Sequence, residues 1–233
     1  MMPTEPFDAS SDLINGLLRG MRLSGVEYRR IQAGSAFGLG FAARPGHAYF
    51  HLVAAGCVTL RTEDGTLYEL TPGNAVFISH GGAHQLLSSP EVPVQDIAGF
   101  DAASLGDAVC AVDARADAGV AQSALIFSGC MEFELGSLHG LGRLMPDLML
   151  IDAKGQRYPG LMPILAAMER EVSSARIGFA GILARLADVV AAMVVRGWVE
   201  CACGNAPGLV AALRRPPPAN AFLALLPHPW PDW

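Results

Sequence analysis

Six histidines and five cysteines are the residues of this 233-residue chain with chemistry beyond packing. His80 and His84 stand four apart in the glycine-rich piece SHGGAH, His51 lies in the run AYFHLV, and Cys130 lies in LIFSGCMEF. Imidazole nitrogen and thiolate sulfur suit Zn²⁺, bound tetrahedrally at roughly 2.0–2.3 Å. His51, His80, His84 and Cys130 are therefore candidate ligands for zinc or another divalent metal. The plainer reading is hydrogen-bonded histidines and a cysteine packed as a small apolar residue. Strand alternation groups Leu125, Phe127, Met131 and Phe133 on one face and sets Cys130 opposite, with Ser128 and Glu132. That phase counts against Cys130 joining the histidines.

The other candidates carry less. Cys201 and Cys203 form a CxC pair with no second pair, which fits two thiols near a helix end. His47 reads as a solvated loop residue, and Trp198, Trp230 and Trp233 read as packing anchors. The piece GSLHGLGRL lacks the strand and helix that flank a nucleotide-binding loop.

Composition narrows the function classes. The formal net charge is −6, and the adjacent basic pairs are Arg29-Arg30 and Arg214-Arg215, which make no nucleic-acid face. An odd, scattered cysteine set (Cys57, Cys110, Cys130, Cys201, Cys203) fits a reducing compartment. The N-terminus has no basic-then-apolar pattern, so a cytoplasmic location without a secretory leader is expected. The most apolar long stretch, 177–199, is interrupted by Arg185, Asp188 and Arg196 and reads as a buried helix rather than a membrane span.

These residues need elements to position them. A short helix is expected over 10–22, with Leu13, Leu17 and Met21 on one face. From about 25 to 135, short β-rich runs recur between Gly, Pro, Asp and Asn, and Glu63-Asp64-Gly65-Thr66 is a strong hairpin turn. Regular short strands of this kind predict a sandwich or barrel. The weakly patterned 101–123 reads as a loop. Beyond 158 the period turns helical. Leu161, Leu165, Met168 and Val172 line one helix. Ile182, Leu186, Val189, Val190, Met193 and Trp198 line a second, with Arg185 and Asp188 opposite. Such a pair forms an antiparallel hairpin that must bury its stripe on the barrel or on a partner. The segment 206–233, broken by Pro216-Pro217-Pro218, reads as a linker-like tail.

The piece LTPGNAVFISHGGAHQLLSS resembles the second motif of the cupins: Gly73, Gly81 and His84 match at the right spacing, and Ser79 stands where the motif has proline. AYFHLVAAGCVTL resembles the end of the first cupin motif, with its turn at Gly56. The positions where metal-binding cupins carry two histidines and a glutamate fall near Ala43, Pro45 and Tyr49, so the usual ligand set is lost. Over most of its length the chain is similar to the N-terminal cupin domain of AraC-type transcription regulators. The pieces that carry this are DLINGLLRGMRLSGVEYRR, FHLVAAG, PGNAVFISHGGAHQLLSS, LIFSGCMEF and the helical 161–200.

The resemblance implies a mainly β fold: a cupin-type double-stranded β-helix barrel over 1–158, then an antiparallel helical hairpin over 159–205. It implies a small-molecule effector in the barrel, with Tyr28, Phe37, Tyr49, His51 and His84 as pocket residues, and a homodimer through helices 161–200. It sets His84 at the metal-histidine position and points His51 into the barrel, where Cys130 and His80 would complete a metal site. A helix-turn-helix domain would follow the tail in that family. This chain is expected to have none, and no direct nucleic-acid binding and no membrane role of its own. It is expected not to be an enzyme. The alternative is a metal-dependent cupin enzyme of dioxygenase or isomerase type, which the missing first-motif ligands disfavour.

Overall fold

The computed structural model describes residues 22–105, 109–115, 122–134, 145–151, 160–174 and 176–205. The expected helix over 10–22 lies outside them, save Arg22 at the start of a strand, and so does the tail 206–233.

The fold is mainly β, as the sequence predicts, and takes the form of two facing sheets. In chain order the strands are β1 (Arg22–Ala33), β2 (Gly38–Phe41), β3 (His47–Ala55), β4 (Val58–Thr62), β5 (Leu67–Leu70), β6 (Ala75–Ile78), β7 (His84–Leu87), β8 (Gln95–Asp96), β9 (Ala102–Ser104), β10 (Val109–Ala114), β11 (Ala124–Glu134) and β12 (Leu148–Ile151). One sheet has the order β12-β6-β3-β11-β1-β10-β9 and the other β5-β4-β7-β2-β8. The hairpin between β4 and β5 forms where Asp-Gly predicts it. Gly65 sits at φ 83°, and the Asp64 carboxylate accepts from the Thr66 backbone at 3.0 Å. A side-chain-free residue is what that left-handed position favours.

The segment 101–123 differs from expectation. It holds β9 and β10, and β10 runs parallel to β1 with Tyr28 opposite Val109 and Ala33 opposite Ala114. Its Ala- and Asp-rich composition hides the strand signal. The available edge of β1 supplies the pairing that the local sequence does not advertise.

Every second residue of the larger sheet faces the smaller one. Ile31, Val53, Val76, Val112 and Ile126 meet Leu39, Val58, Leu60, Leu70 and Leu86 there, all buried. The alternate residues, including Tyr28, Phe50, Leu52, Phe77, Phe127 and Met131, form a second core beneath two helices. A sheet buried on both faces shows long apolar runs instead of clean alternation. This explains why LIFSGCMEF did not reveal which face was which.

The helices are α1 (Leu161–Ser174) and α2 (Phe179–Asn205). The start of α1 lies against the far part of α2, with Gly160 next to the Met193 methyl, so the pair is antiparallel. In α1, Leu161, Leu165 and Met168 are buried as expected. In α2 the buried stripe is Leu183, Ala187, Val190, Val194 and Trp198, while Ile182 and Val189 are 46% and 45% exposed. Val190 and Trp198 are buried as expected, while Ile182, Leu186, Val189 and Met193 stand about one residue step, roughly 100° of helix rotation, from the buried stripe. Apolar residues surround α2, so periodicity did not fix its phase; Ala187 and Ala191 turn inward, where small side chains permit close packing. Among the described residues, no helix is long and apolar enough to cross a membrane.

Candidate functional site

The space between the sheets is apolar at one end and polar at the other. On the larger sheet, the residues facing inward come in rows set by register. Val53, Ile126, Ile31 and Val112 make an apolar row. One step along, His51, Ser128, Arg29 and Cys110 form the next. One step further come Tyr49, Cys130 and Glu27. The smaller sheet sets Phe41 and His84, cross-strand neighbours, against this end.

His51 is fully buried and His84 nearly so, at 0% and 3% exposure, and their Nε2 atoms lie 2.7 Å apart. The second nitrogen of His84 fixes the tautomers. Its Nδ1 is 2.8 Å from the Gly82 carbonyl, which can only accept, so Nδ1 carries the hydrogen and Nε2 a lone pair. His51 therefore donates from Nε2, and its Nδ1 lone pair is left buried without a partner among the described residues. Phe41 stacks on His84 at 4.8 Å and meets His51 edge-on at 4.8 Å. Burial pushes the His84 imidazole down to about 4. Burial, then His84 and Arg29, hold His51 well below the usual histidine range. Both rings are neutral at neutral pH.

The glycine-rich turn sets this geometry. Gly81 has φ 63°, and a Cβ there would lie 2.1 Å from the Arg44 carbonyl oxygen. Glycine lets the turn pack on the loop 42–46, where the Arg44 backbone N–H donates to the Gly81 carbonyl at 2.8 Å. Ser79, in the proline position of the resembled motif, donates its hydroxyl to the Pro146 carbonyl at 2.6 Å.

The four expected metal ligands are not brought together. His80 points outward and pairs with Asp147, Nδ1 to Oδ1 at 2.8 Å. Cys130 faces inward with Ile126, so the phase that counted against it is reversed: Phe127 and Met131 are the ones that face the helices. Yet its sulfur meets the Arg44 Nη1 at 3.5 Å rather than the histidine pair. Among the described residues, no three His, Cys, Asp or Glu side chains gather as a metal site. Two Nε2 atoms on one tetrahedral zinc would stand roughly 3.3 Å apart. The observed 2.7 Å is a hydrogen bond instead. As placed, the residues do not fit a metal.

The expected pocket residues also divide. Tyr49, His51 and His84 share the polar end, and Tyr49 donates its hydroxyl to the Ala42 carbonyl at 2.8 Å. Burial first, then the Cys130 side chain, pushes the Tyr49 phenol up to about 12. Phe37 is buried between the sheets but lies four residues from Phe41, roughly 13 Å of strand, toward the apolar end. Tyr28 lies in the other core, stacked on Phe127 at 5.7 Å beneath the helices. It cannot line the inter-sheet space, because its neighbour Arg29 takes that direction. Two clefts open at this end and meet at His84. One, of about 670 Å³, is lined by Glu63, Tyr68, His80 and Leu148 among others. The second, of about 590 Å³, is lined by Phe41, Arg61, Gln85 and Asp96 among others.

Sequence reasoning missed Glu27, Arg29 and Arg44. Arg29 is nearly buried and ion-paired with Glu27, Nη2 to Oε1 at 2.5 Å. The signal was the alternation of VEYRRIQ, which sets Glu27, Arg29 and Ile31 on one face.

A family model described as cupin matches residues 12–200. No curated protein matches the chain. Among solved structures, ToxT from Vibrio cholerae O395 overlays with a TM-score of 0.38 at 9% identity, covering 84% of this chain and 61% of that one. Wild-type ToxT from V. cholerae strain SCE256 with unsaturated fatty acid bound gives 0.36 at 9%, covering 79% and 55%. ToxT from O395 bound to (E)-4-(8-methylnaphthalen-1-yl)but-3-enoic acid gives 0.38 at 9%, covering 84% and 62%. The chain spans about three fifths of the length of these structures. Overlays this loose carry no inference about ligand or partner.

Proposed function

Because the chain belongs to the cupin family, matched over residues 12–200, we propose that it is the small-molecule-sensing and dimerising module of an AraC-type transcription regulator. The observation that carries the sensing part is the two-faced sheet. β3 turns Tyr49 and His51 toward the polar end and Ala48, Phe50 and Leu52 toward the helices. A molecule held at the polar end is therefore one strand away from α1 and α2. The regulator part rests on the resemblance of the segments quoted above. No catalytic step is assigned. A metal-dependent cupin enzyme needs three or more ligands around one point, and the described residues bring two histidines together. Zinc at His51 and His84 would require the two rings to part from their 2.7 Å hydrogen bond.

The partner in this reading is a second copy of the chain. Ile182 and Val189, seven residues apart, lie on the outward side of α2 and are about half exposed, while Leu186 and Met193 between and beyond them are partly buried against the core. An apolar stripe of that kind suits a helix–helix seam. Light scattering on the wild type is expected to give a dimer at micromolar concentrations. The double variant Ile182→Glu, Val189→Glu is expected to be a folded monomer, since both side chains point away from the core. A monomeric wild type, or a variant that dimerises normally, overturns the dimer.

A further inference from the structure

We propose that the position the Glu27 carboxylate holds on the Arg29 guanidinium is the binding site for the carboxylate of a small organic acid. Glu27 is its displaceable internal occupant. This narrows the sensing reading above and rests on it.

The site is built by β1, β11 and the loop 42–46. The pairing of β1 with β11 shifts register between Gly25 and Glu27, an irregularity of the kind that re-aims a side chain. Past it, Glu27 stands opposite Cys130 and Arg29 opposite Ser128, both facing the inter-sheet space. The Arg29 side chain is 11% exposed and the Glu27 side chain 33%. A guanidinium so withdrawn from water requires a counter-charge, and its planar fork matches a carboxylate. Among the described residues, its ion-pair partner is Glu27, through one nitrogen and one oxygen. Arg44 approaches from the exposed loop. Its Nη1 donates to the Cys130 sulfur at 3.5 Å, a weak acceptor for so strong a donor, and Glu27 is among the charges that act on it.

Charge selects the ligand class. His51 and His84 are neutral, for the reasons given above, and Tyr49 is protonated with its hydroxyl committed to Ala42. Glu132, next inward along β11, is solvent-exposed. Arg29 pairs with Glu27, and Arg44 adds a second guanidinium beside Cys130, the residue opposite Glu27, with no ion pair to Glu27 among the described residues: a local excess of positive charge in a chain of net charge −6. An incoming monoanion that takes the place of Glu27 on Arg29 satisfies this excess. A dianion such as phosphate exceeds it while Glu27 stays nearby. Because Glu27 is one-third exposed, exchanging one carboxylate for another does not require the core to open.

The test uses the full chain at low ionic strength, titrated calorimetrically with benzoate, benzamide, benzylamine and inorganic phosphate. Benzoate is expected to bind saturably, about tenfold or more tighter than benzamide, since the amide offers no charge to a desolvated guanidinium. Arg29→Gln is expected to abolish benzoate binding, and Arg44→Gln to weaken it several-fold. Glu27→Gln is expected to strengthen it several-fold by removing the competitor. Opposite effects from neighbouring residues distinguish a ligand site from a merely structural ion pair. If Arg29→Gln fails to fold, the rim variants Glu27→Gln and Arg44→Gln carry the test. Benzoate binding no better than benzamide, phosphate binding tighter than benzoate, or a Glu27→Gln affinity equal to or below wild type overturns the proposal. Saturable binding of benzamide or benzylamine without benzoate leaves sensing standing and removes the acid. If none of the four binds, the acid assignment falls while the dimer experiment still tests the module.

Discussion

A buried imidazole pair that cannot hold a proton stores a pH dependence. Burial brings His84 down to about 4 in the folded chain, against 6.5 for an ordinary histidine, and burial, then His84 and Arg29, hold His51 down in the same direction. The unfolded chain therefore takes up protons that the folded chain refuses. Stability is full above about pH 6.5 and is lost as pH falls toward 4. For His84 alone the loss is roughly 3 kcal/mol over that window. Asp113 adds little over this window, because Arg115 holds its carboxyl at about 2 and most of its own loss falls below 3.8. Urea unfolding at pH 7 and pH 4.5 is expected to show this fall in the wild type and a shallower one in His84→Gln; equal slopes would sink the account. His51 and His84 were legible in the sequence because motif spacing and strand alternation both pointed at them. Glu27, Arg29 and Arg44 were not. Two are separated by one residue in a strand whose both faces are buried, and the third reaches the site from a loop.

At the scale of elements, the strands pack by alternation, and β1 shows the cost of serving two cores. Arg29 turns toward the sheet interior, so Tyr28 must turn toward the helices. There its hydroxyl is buried without a hydrogen-bond partner among the described residues, and burial, then the nearby Asp188, pushes the phenol up to about 12. An unsatisfied buried hydroxyl costs about 1–3 kcal/mol. Tyr28→Phe keeps the ring stacked on Phe127 and removes that cost. It is expected to raise the unfolding free energy by about 1 kcal/mol in urea titration; a loss of that size would mean that the hydroxyl has a partner in solution. Most strands and both helices were readable from turn residues and period. The exceptions share a cause. β10 exists because β1 offers an edge, and the phase of α2 is chosen by close packing on the sheet, neither of which a local pattern encodes.

For the whole molecule, the question is whether the polar end and the outward stripe of α2 communicate. Both are anchored in the larger sheet. Arg29 and His51 point to one side of β1 and β3, while Tyr28 and Phe50 point to the other, where Leu183, Ala187 and Val190 of α2 complete the same core. Packed cores shift between discrete arrangements rather than deform smoothly. Displacement of Glu27 from Arg29 by a bound acid is therefore expected to alter how α2 seats on the sheet, and with it the proposed dimer seam. Linkage makes this measurable from either side. If benzoate favours one oligomeric state, it must bind that state more tightly by the same factor. The expected result is a severalfold difference in benzoate affinity between the wild type, as the proposed dimer, and the Ile182→Glu, Val189→Glu variant, as the proposed monomer, matched by an equal change in dimer dissociation constant at saturating benzoate. Those substitutions lie on the far side of α2 from the sheet, so they do not touch the acid site directly. Equal benzoate affinities in dimer and monomer would mean that the two sites are independent, and that the sheet transmits nothing to the helices.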